Sequence, residues 1–172
     1  HKFVIVGAGM VGTAISCLLR KAGHEIAAIA DLSPAHLKRV KAYTNAPLFS
    51  RAVDAATFGD CILITTPDDR IESACEDIAR GASLKGKTVF HMSGAGGLDL
   101  LQSAANAGAT IASIHPLQSF SSIEGAIASI PGSYFGVTAG PGAKRISTVI
   151  VRDLQGIHLL ISPEQKPLYH AA

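Results

Sequence analysis

The chain has 172 residues, 48% hydrophobic and 16% charged, enough for one domain with at most the start of another, and its composition excludes global disorder. Fifteen basic residues against thirteen acidic ones leave a net charge of +2 with no Lys/Arg cluster, and aromatics are 5% with no tryptophan. Neither a basic stripe nor a stacking platform is present, so nucleic acid is excluded as a partner.

The elements alternate regularly along the chain. Lys2–Val6 is a β-branched apolar run. It opens an uncharged stretch, residues 3–19, that superficially resembles a signal peptide or membrane span. At 17 residues this stretch is shorter than the ~20 a span needs, and Gly7, Gly9 and Gly12 interrupt it, so no targeting or membrane segment is expected. The start at His1 rather than methionine is what a trimmed chain or a tag remnant would give. Residues 11–22 have helical spacing and stop at Gly23, and Glu25–Ala30 is a second strand. Ser33 before Pro34 is an N-cap with proline at the first helical position, leading into a helix over 35–43. Residues 47–50 form a short apolar piece with room for a third strand. A buried strand over 61–65 is followed by a helix over 68–82 with Ile71, Cys75 and Ile78 on one face. Strands over 88–92 and 110–114 flank a helix over 98–107, and 134–138, 142–154 and 158–161 continue as strand, helix, strand. Strands apolar throughout and separated by helices predict a doubly wound α/β fold, a mostly parallel sheet of six or seven strands covered on both faces.

Cys17, Cys61 and Cys75 are odd in number and form no C-x-x-C. They read as reduced, mostly buried thiols of a cytoplasmic protein, with no disulfide frame and no zinc site. Across residues 88–143 only Asp99 and Glu124 carry charge. This stretch is either a small-residue core with neutral loops or a surface covered by a second domain, a subunit or a neutral ligand. Ser162-Pro163-Glu164 opens a further helix by capping logic, and a two-turn helix is stable only when packed on something. Residues 1–162 are expected to form one domain and 163–172 to begin another.

Gly7-Ala8-Gly9-Met10-Val11-Gly12 is G-x-G-x-x-G, directly after the first strand and opening the first helix. Each glycine has a mechanical role: Gly7 makes the tight turn, Gly9 allows the close approach of a pyrophosphate, and Gly12 lets helix pack on strand. The helix start offers unpaired N–H groups to phosphates. Asp31 ends the second strand, where a carboxylate accepts both ribose hydroxyls of an adenosine and repels a 2′-phosphate. Leu32, Ser33 and Pro34 follow without an arginine, while Lys38 and Arg39 come later, so these residues favour NAD over NADP. A glycine turn without ligand, or an FAD or S-adenosylmethionine site of similar geometry, are the alternatives. Thr65-Thr66-Pro67-Asp68-Asp69 ends the fourth strand beside the adenosine, as cofactor contact or, through Asp68 or Asp69, as a helix cap.

Ser93 and Gly94 follow the fifth strand and suit contact with nicotinamide or substrate, Ser93 being also a candidate catalytic residue, and His115 ends the sixth. His115 is the candidate acid/base for a carbonyl–alcohol or imine–amine conversion, the alternative being a histidine bonded to backbone before Pro116. His91 reads as structural, and His24, His36, His158 and His170 have no ligand spacing, so no metal is expected. Ser93 is not a hydrolase nucleophile, because His91 stands where G-x-S-x-G requires glycine.

With these motifs the chain resembles the Rossmann-like, DUF2520-type oxidoreductases, relatives of the coenzyme-F420-dependent NADP reductase and pyrroline-5-carboxylate reductase groups. The resemblance rests on VGAGMVGTA (6–14), TTPDDRI (65–71), HMSGAGGLDLL (91–101), HPLQSF (115–120) and KPLYHAA (166–172). It implies a Rossmann unit followed by an all-helical domain, starting in KPLYHAA, that forms a homodimer and closes the active site. It also implies NADP as the usual cofactor, against the NAD that Asp31 favours, so both stay open. The expected function is hydride transfer to or from a small carbonyl or imine substrate, with this chain as the cofactor domain. The alternative is a non-catalytic NAD(P)-binding sensor or assembly module.

Overall fold

Strand β1 (Lys2–Val6) shows why its run is apolar without alternation: Phe3 and Ile5 enter one layer of the core, Val4 and Val6 the other. β2 (Glu25–Ala30), β4 (Cys61–Ile64) and β5 (Thr88–His91) divide their side chains in the same way. Two-sided burial of this kind is what a parallel sheet between two helix layers demands. The computed structural model describes residues 1–165, so the KPLYHAA segment and all but the start of the expected helix over 163–172 lie outside the described residues. Only a single 3₁₀ turn, Pro163–Gln165, falls inside them.

Eight strands form one sheet in the order β3-β2-β1-β4-β5-β6-β7-β8, with β3 (Leu48–Phe49), β6 (Thr110–Pro116), β7 (Tyr134–Ala139) and β8 (Ile157–Leu160) completing it. One face carries α1 (Met10–Lys21), Val40 of α2 (Pro34–Val40), α6 (Ile123–Ser129) and α7 (Lys144–Asp153). The other carries α3 (Ala52–Ala55), α4 (Asp68–Gly81) and α5 (Gln102–Asn106). The fold is α/β and doubly wound, as the alternation of elements predicts. Among the described residues no helix is long and apolar enough to cross a membrane.

Three features depart from the expected elements. The sheet has eight strands rather than six or seven, because residues 47–50 do contribute the two-residue edge strand β3. The helix expected over 98–107 is a 3₁₀ turn, Leu98–Leu101, followed by α5. Most consequentially, α6 intervenes before β7, and β7 runs antiparallel to β6. The segment after β6 does not return the chain to the start of the sheet: the Leu117 N–H donates to the Tyr134 carbonyl at 2.8 Å and holds the end of β6 beside the start of β7. β7 therefore starts where β6 stops, with Pro116 facing Phe135, and α7 then carries the chain back for β8 to run parallel to β7.

The charge-poor stretch 88–143 supplies much of the α1-side core through Phe90, Ile114, Ala126, Phe135 and Val137. Leu117 and Tyr134 of the same stretch are exposed, as are Ile157, Leu159 and Leu160 on the edge strand β8. Of its two charges, Glu124 accepts a hydrogen bond from the Tyr43 hydroxyl, which ties the segment after α2 to α6.

All three cysteines are buried and free. Burial, with the Asp60 carboxylate adding to it, pushes the Cys61 thiol up to about 12, and burial also raises Cys17 and Cys75. Thiolate is the reactive form, so iodoacetamide at neutral pH should label none of the three in the folded chain and all of them in denaturant, as counted by intact mass.

His24, in the turn after α1, donates from Nε2 to Asp153 Oδ2 at the end of α7 over 2.9 Å. The two side chains are only 11% and 16% exposed, so this pair joins the first and last helices of one layer. Burial acts to raise the Asp153 carboxyl, but the bonds from His24 and Arg152 outweigh it and hold it below its ordinary value. A folded-state value below the unfolded one stabilises the fold above the ordinary carboxylate range and ceases to do so as pH falls through the lowered value. Asp153→Asn should therefore destabilise the chain most near neutral pH, with the gap to wild type closing in urea titrations as pH falls below about 4.

Candidate functional site

The parallel register aligns Val6, Ile64, His91 and Ser113 in one row across β1, β4, β5 and β6. The chain segments that leave the sheet beyond this row form the site. Gly7 turns sharply there at φ +107°, a conformation that favours glycine, and a Cβ on it would lie 2.9 Å from the Thr65 carbonyl carbon and the Thr66 nitrogen. Its N–H donates to the Ala30 carbonyl at 2.8 Å, and its own carbonyl accepts from the Thr65 hydroxyl at 2.8 Å. A Cβ on Gly12 would sit 2.0 Å from that same Gly7 carbonyl oxygen and 2.4 Å from Thr65 Oγ1. Gly7 and Gly12 are thus required by the packing of β1, β4 and α1.

Gly9 differs from both. A Cβ on it would meet nothing within 4 Å. It is the N-cap of α1 with no side-chain cap bond, the first turn of α1 holds no acidic residue, and Arg20 and Lys21 occupy the last turn. The positive end of the helix therefore faces an adjoining cavity uncompensated by any side chain of its own.

That cavity has a volume of about 890 Å³. Gly7, Gly9, Met10 and Val11 line it from the glycine turn, Asp31 and Leu32 from the end of β2, and Thr65, Thr66 and Pro67 from the end of β4. Leu32 is 86% exposed at its edge, an apolar surface beside the polar turn. The Thr66 hydroxyl is buried and has no hydrogen-bond partner among the described residues. A buried hydroxyl of this kind costs about 1–3 kcal/mol unless something in the cavity pairs with it.

Six other predicted site residues do not line the cavity. Ala8 is buried, its N–H donated to Asp31 and its carbonyl accepting from Arg39 at 3.4 Å. Gly12 is buried in α1. Ser33 caps α2 by accepting from the His36 N–H. Ser93 and Gly94 are buried, and the Ser93 hydroxyl donates to Asp68 Oδ2 at 2.7 Å while accepting from the Gly96 N–H at 2.8 Å. Asp68 is accordingly tied to Ser93 rather than capping α4, whose N-cap is Pro67. His115 is half-buried, and its Nδ1 bonds to the Met92 carbonyl at 2.8 Å. Two strand spacings, about 10 Å, separate β6 from β4.

His91 is fully buried, as a structural role requires. The Ser93 N–H donates to its Nδ1 at 3.1 Å, so Nε2 carries the proton and donates to the Gly97 carbonyl at 2.9 Å. The ring thus fixes the loop between Ser93 and Gly97. One trio of possible metal ligands, His1, Asp60 and Cys61, gathers among the described residues, but at the opposite end of β1 and β4.

Sequence reasoning missed the charges that share the cavity with Asp31. His36, Arg51 and Arg70 all line it. Arg70 lies within TTPDDRI and His36 one turn after the Ser33 cap, so a signal for both exists; Arg51 precedes a helix with no sequence signal strong enough to mark it.

The Rossmann-like domain model matches residues 1–116, ending on the last residue of β6, just before the antiparallel strand β7. The chain belongs to the Rossmann-like domain family. A comparison with curated proteins gave no match. Among solved structures, a Bacteroides fragilis protein described as an NADP oxidoreductase is similar at TM-score 0.85 and 15% identity, covering 99% of this chain and 64% of its own. Prephenate dehydrogenase of Aquifex aeolicus, in complex with hydroxyphenyl propionate and NAD+, gives 0.77 and 18% over 96% of this chain and 61% of its own. Plasmodium falciparum pyrroline carboxylate reductase with NADP bound gives 0.70 and 16% over 95% and 58%. The chain thus spans about three fifths of the length of these proteins.

The glycines separate fold from ligand experimentally. Gly12→Val should destabilise the chain by about 3 kcal/mol, as overpacking against backbone does. Gly9→Val should cost no more than about 1 kcal/mol, because its side chain enters open space. Chemical denaturation of the two variants checks the difference.

Proposed function

We propose that the chain is the cofactor-binding part of a nicotinamide-dependent oxidoreductase, which transfers hydride to or from a small carbonyl or imine. The observation that carries this reading is Gly9: the fold gives no internal reason for a bare backbone there, and a pyrophosphate against the start of α1 does. The orphaned Thr66 hydroxyl and the exposed Leu32 support it, the first as a donor or acceptor for the cofactor and the second as a surface for its adenine. Gly7, Gly9, Met10 and Val11 would hold the pyrophosphate, with Ala8 and Gly12 shaping their turn. Asp31, Leu32 and Ser33 would face the adenosine, and Thr65, Thr66 and Pro67 would close the other side. The bound nicotinamide would supply the hydride chemistry.

His115 is the residue this reading assigns to proton exchange with the substrate. Its Nδ1 bond to the Met92 carbonyl fixes the ring at the end of β6. Ser93 and Gly94 contribute by fixing the loop beside it. The reading extends to NAD or NADP as cofactor, to membership of the DUF2520-type group, to a cytoplasmic protein, and to a homodimer built by a helical domain beginning at residue 163. The motif resemblance supports these extensions. The sensor alternative is favoured by one observation, the engagement of the Ser93 hydroxyl inside the protein.

Calorimetric titration tests the reading. Wild type should bind NADH or NADPH, and Gly9→Val should weaken that binding at least about tenfold, since its side chain takes the pyrophosphate's place. No binding of either dinucleotide by wild type would sink the proposal. In the whole protein, His115→Ala should abolish NAD(P)H oxidation by imine or carbonyl substrates while leaving cofactor affinity unchanged; a sensor would show no oxidation in either form.

A further inference from the structure

We propose that His36 sets which dinucleotide the cavity accepts, by changing the net charge that the Asp31–His36 pair presents to the adenosine 2′ position. This rests on the reading that the cavity holds a nicotinamide dinucleotide. The Asp31 side chain is only 12% exposed and already has three partners. Its Oδ2 accepts from the Ala8 N–H at 2.6 Å and from His36 Nδ1 at 3.0 Å, and its Oδ1 accepts from the Ser33 N–H at 2.7 Å. A carboxylate has about four acceptor positions, so one remains for a ribose hydroxyl instead of the two that a bidentate grip needs.

His36 is the outer member of the pair. Its side chain is 42% exposed and it lines the cavity. Because an ionised carboxylate only accepts, the proton in the Asp31 bond belongs to Nδ1, and the charge of the ring depends on Nε2. With Nε2 protonated, the pair is neutral overall and offers an N–H to a 2′-phosphate. With Nε2 bare, the pair carries one negative charge, which repels a 2′-phosphate and leaves a free 2′-hydroxyl the better ligand.

The other charges around the cavity are Arg39 from α2, bonded to the Ala8 carbonyl, Arg51 before α3, and Arg70 in α4, with Asp77 and Arg80 further along α4. Arginine stays charged throughout the physiological range, so these residues attract phosphates at every pH and do not switch. His36 is the only histidine among the described residues lining the cavity, and histidine side chains are the ones that change charge between about pH 5 and 8.

The experiment measures dissociation constants of NADPH and NADH calorimetrically from pH 6 to 8.5, on wild type and on His36→Gln. The ratio of the NADPH constant to the NADH constant should rise about tenfold with pH in wild type, the effect of one charge at a partly exposed site. The 2′-phosphate itself gains charge near pH 6, which acts in the opposite direction and equally in both proteins. In His36→Gln the rise should vanish and only that opposing trend remain. A ratio whose pH dependence is the same in wild type and His36→Gln overturns the inference while leaving dinucleotide binding intact. Failure of wild type to bind either dinucleotide overturns the functional reading itself.

Discussion

The carbonyl oxygen of Gly7 occupies the place where any side chain on residue 12 would have to go. That exclusion sets the geometry of the whole cavity end of the sheet. It presses the start of α1 onto the turn after β1, so the first residues of the helix, with the partial positive charge of their N–H groups, border the cavity. The turn is held from both sides, by Ala30 of β2 and by Thr65 after β4, and both bonds engage Gly7 itself. One residue therefore joins three strands and a helix. The open backbone at Gly9 exists only because its two neighbouring glycines are fully committed to this junction.

Strands β1, β2, β4, β5 and β6 were legible because each is fixed by its own residues. Val4 and Ile5 face opposite layers, so an unbroken apolar run marks a strand buried on both sides, and Ser33 with Pro34 marks a helix start without help from elsewhere. The second half resisted for a different reason. The sequence Ile123–Ser129 is rich in small residues and contains Gly125, so it shows little helical periodicity, although Ser122 does cap it by accepting from the Gly125 N–H at 2.9 Å. The direction of β7 is set by its pairing with β6, where Pro116 faces Phe135, and no local reading of Tyr134–Ala139 reveals it.

At the site the same division holds. The residues of the glycine turn and of Thr65–Pro67 were readable because backbone geometry at a strand end is a local matter. The engagement of Ser93 was not, since its partner Asp68 lies 25 positions away and is brought to it by the pairing of β4 with β5. Nor was the company of Asp31, where Arg51 and Arg70 come from separate segments, each on the far side of a strand from the other.

Asp31 shows why a fingerprint residue cannot be assigned a ligand role from its position alone. Its carboxylate receives the Ala8 N–H from inside the glycine turn, so it helps hold the turn in shape before any ligand arrives. An N–H left unpaired at that buried point would cost about as much as a lost hydrogen bond. A carboxylate that braces the turn in this way must stay even in a protein that binds a 2′-phosphate, and its charge must then be offset by a neighbour. His36, with Nδ1 3.0 Å from Oδ2, is the neighbour the structure provides. The acidic residue closing β2 is first a brace for the turn, and what it says about cofactor choice depends on the residue that shares its charge.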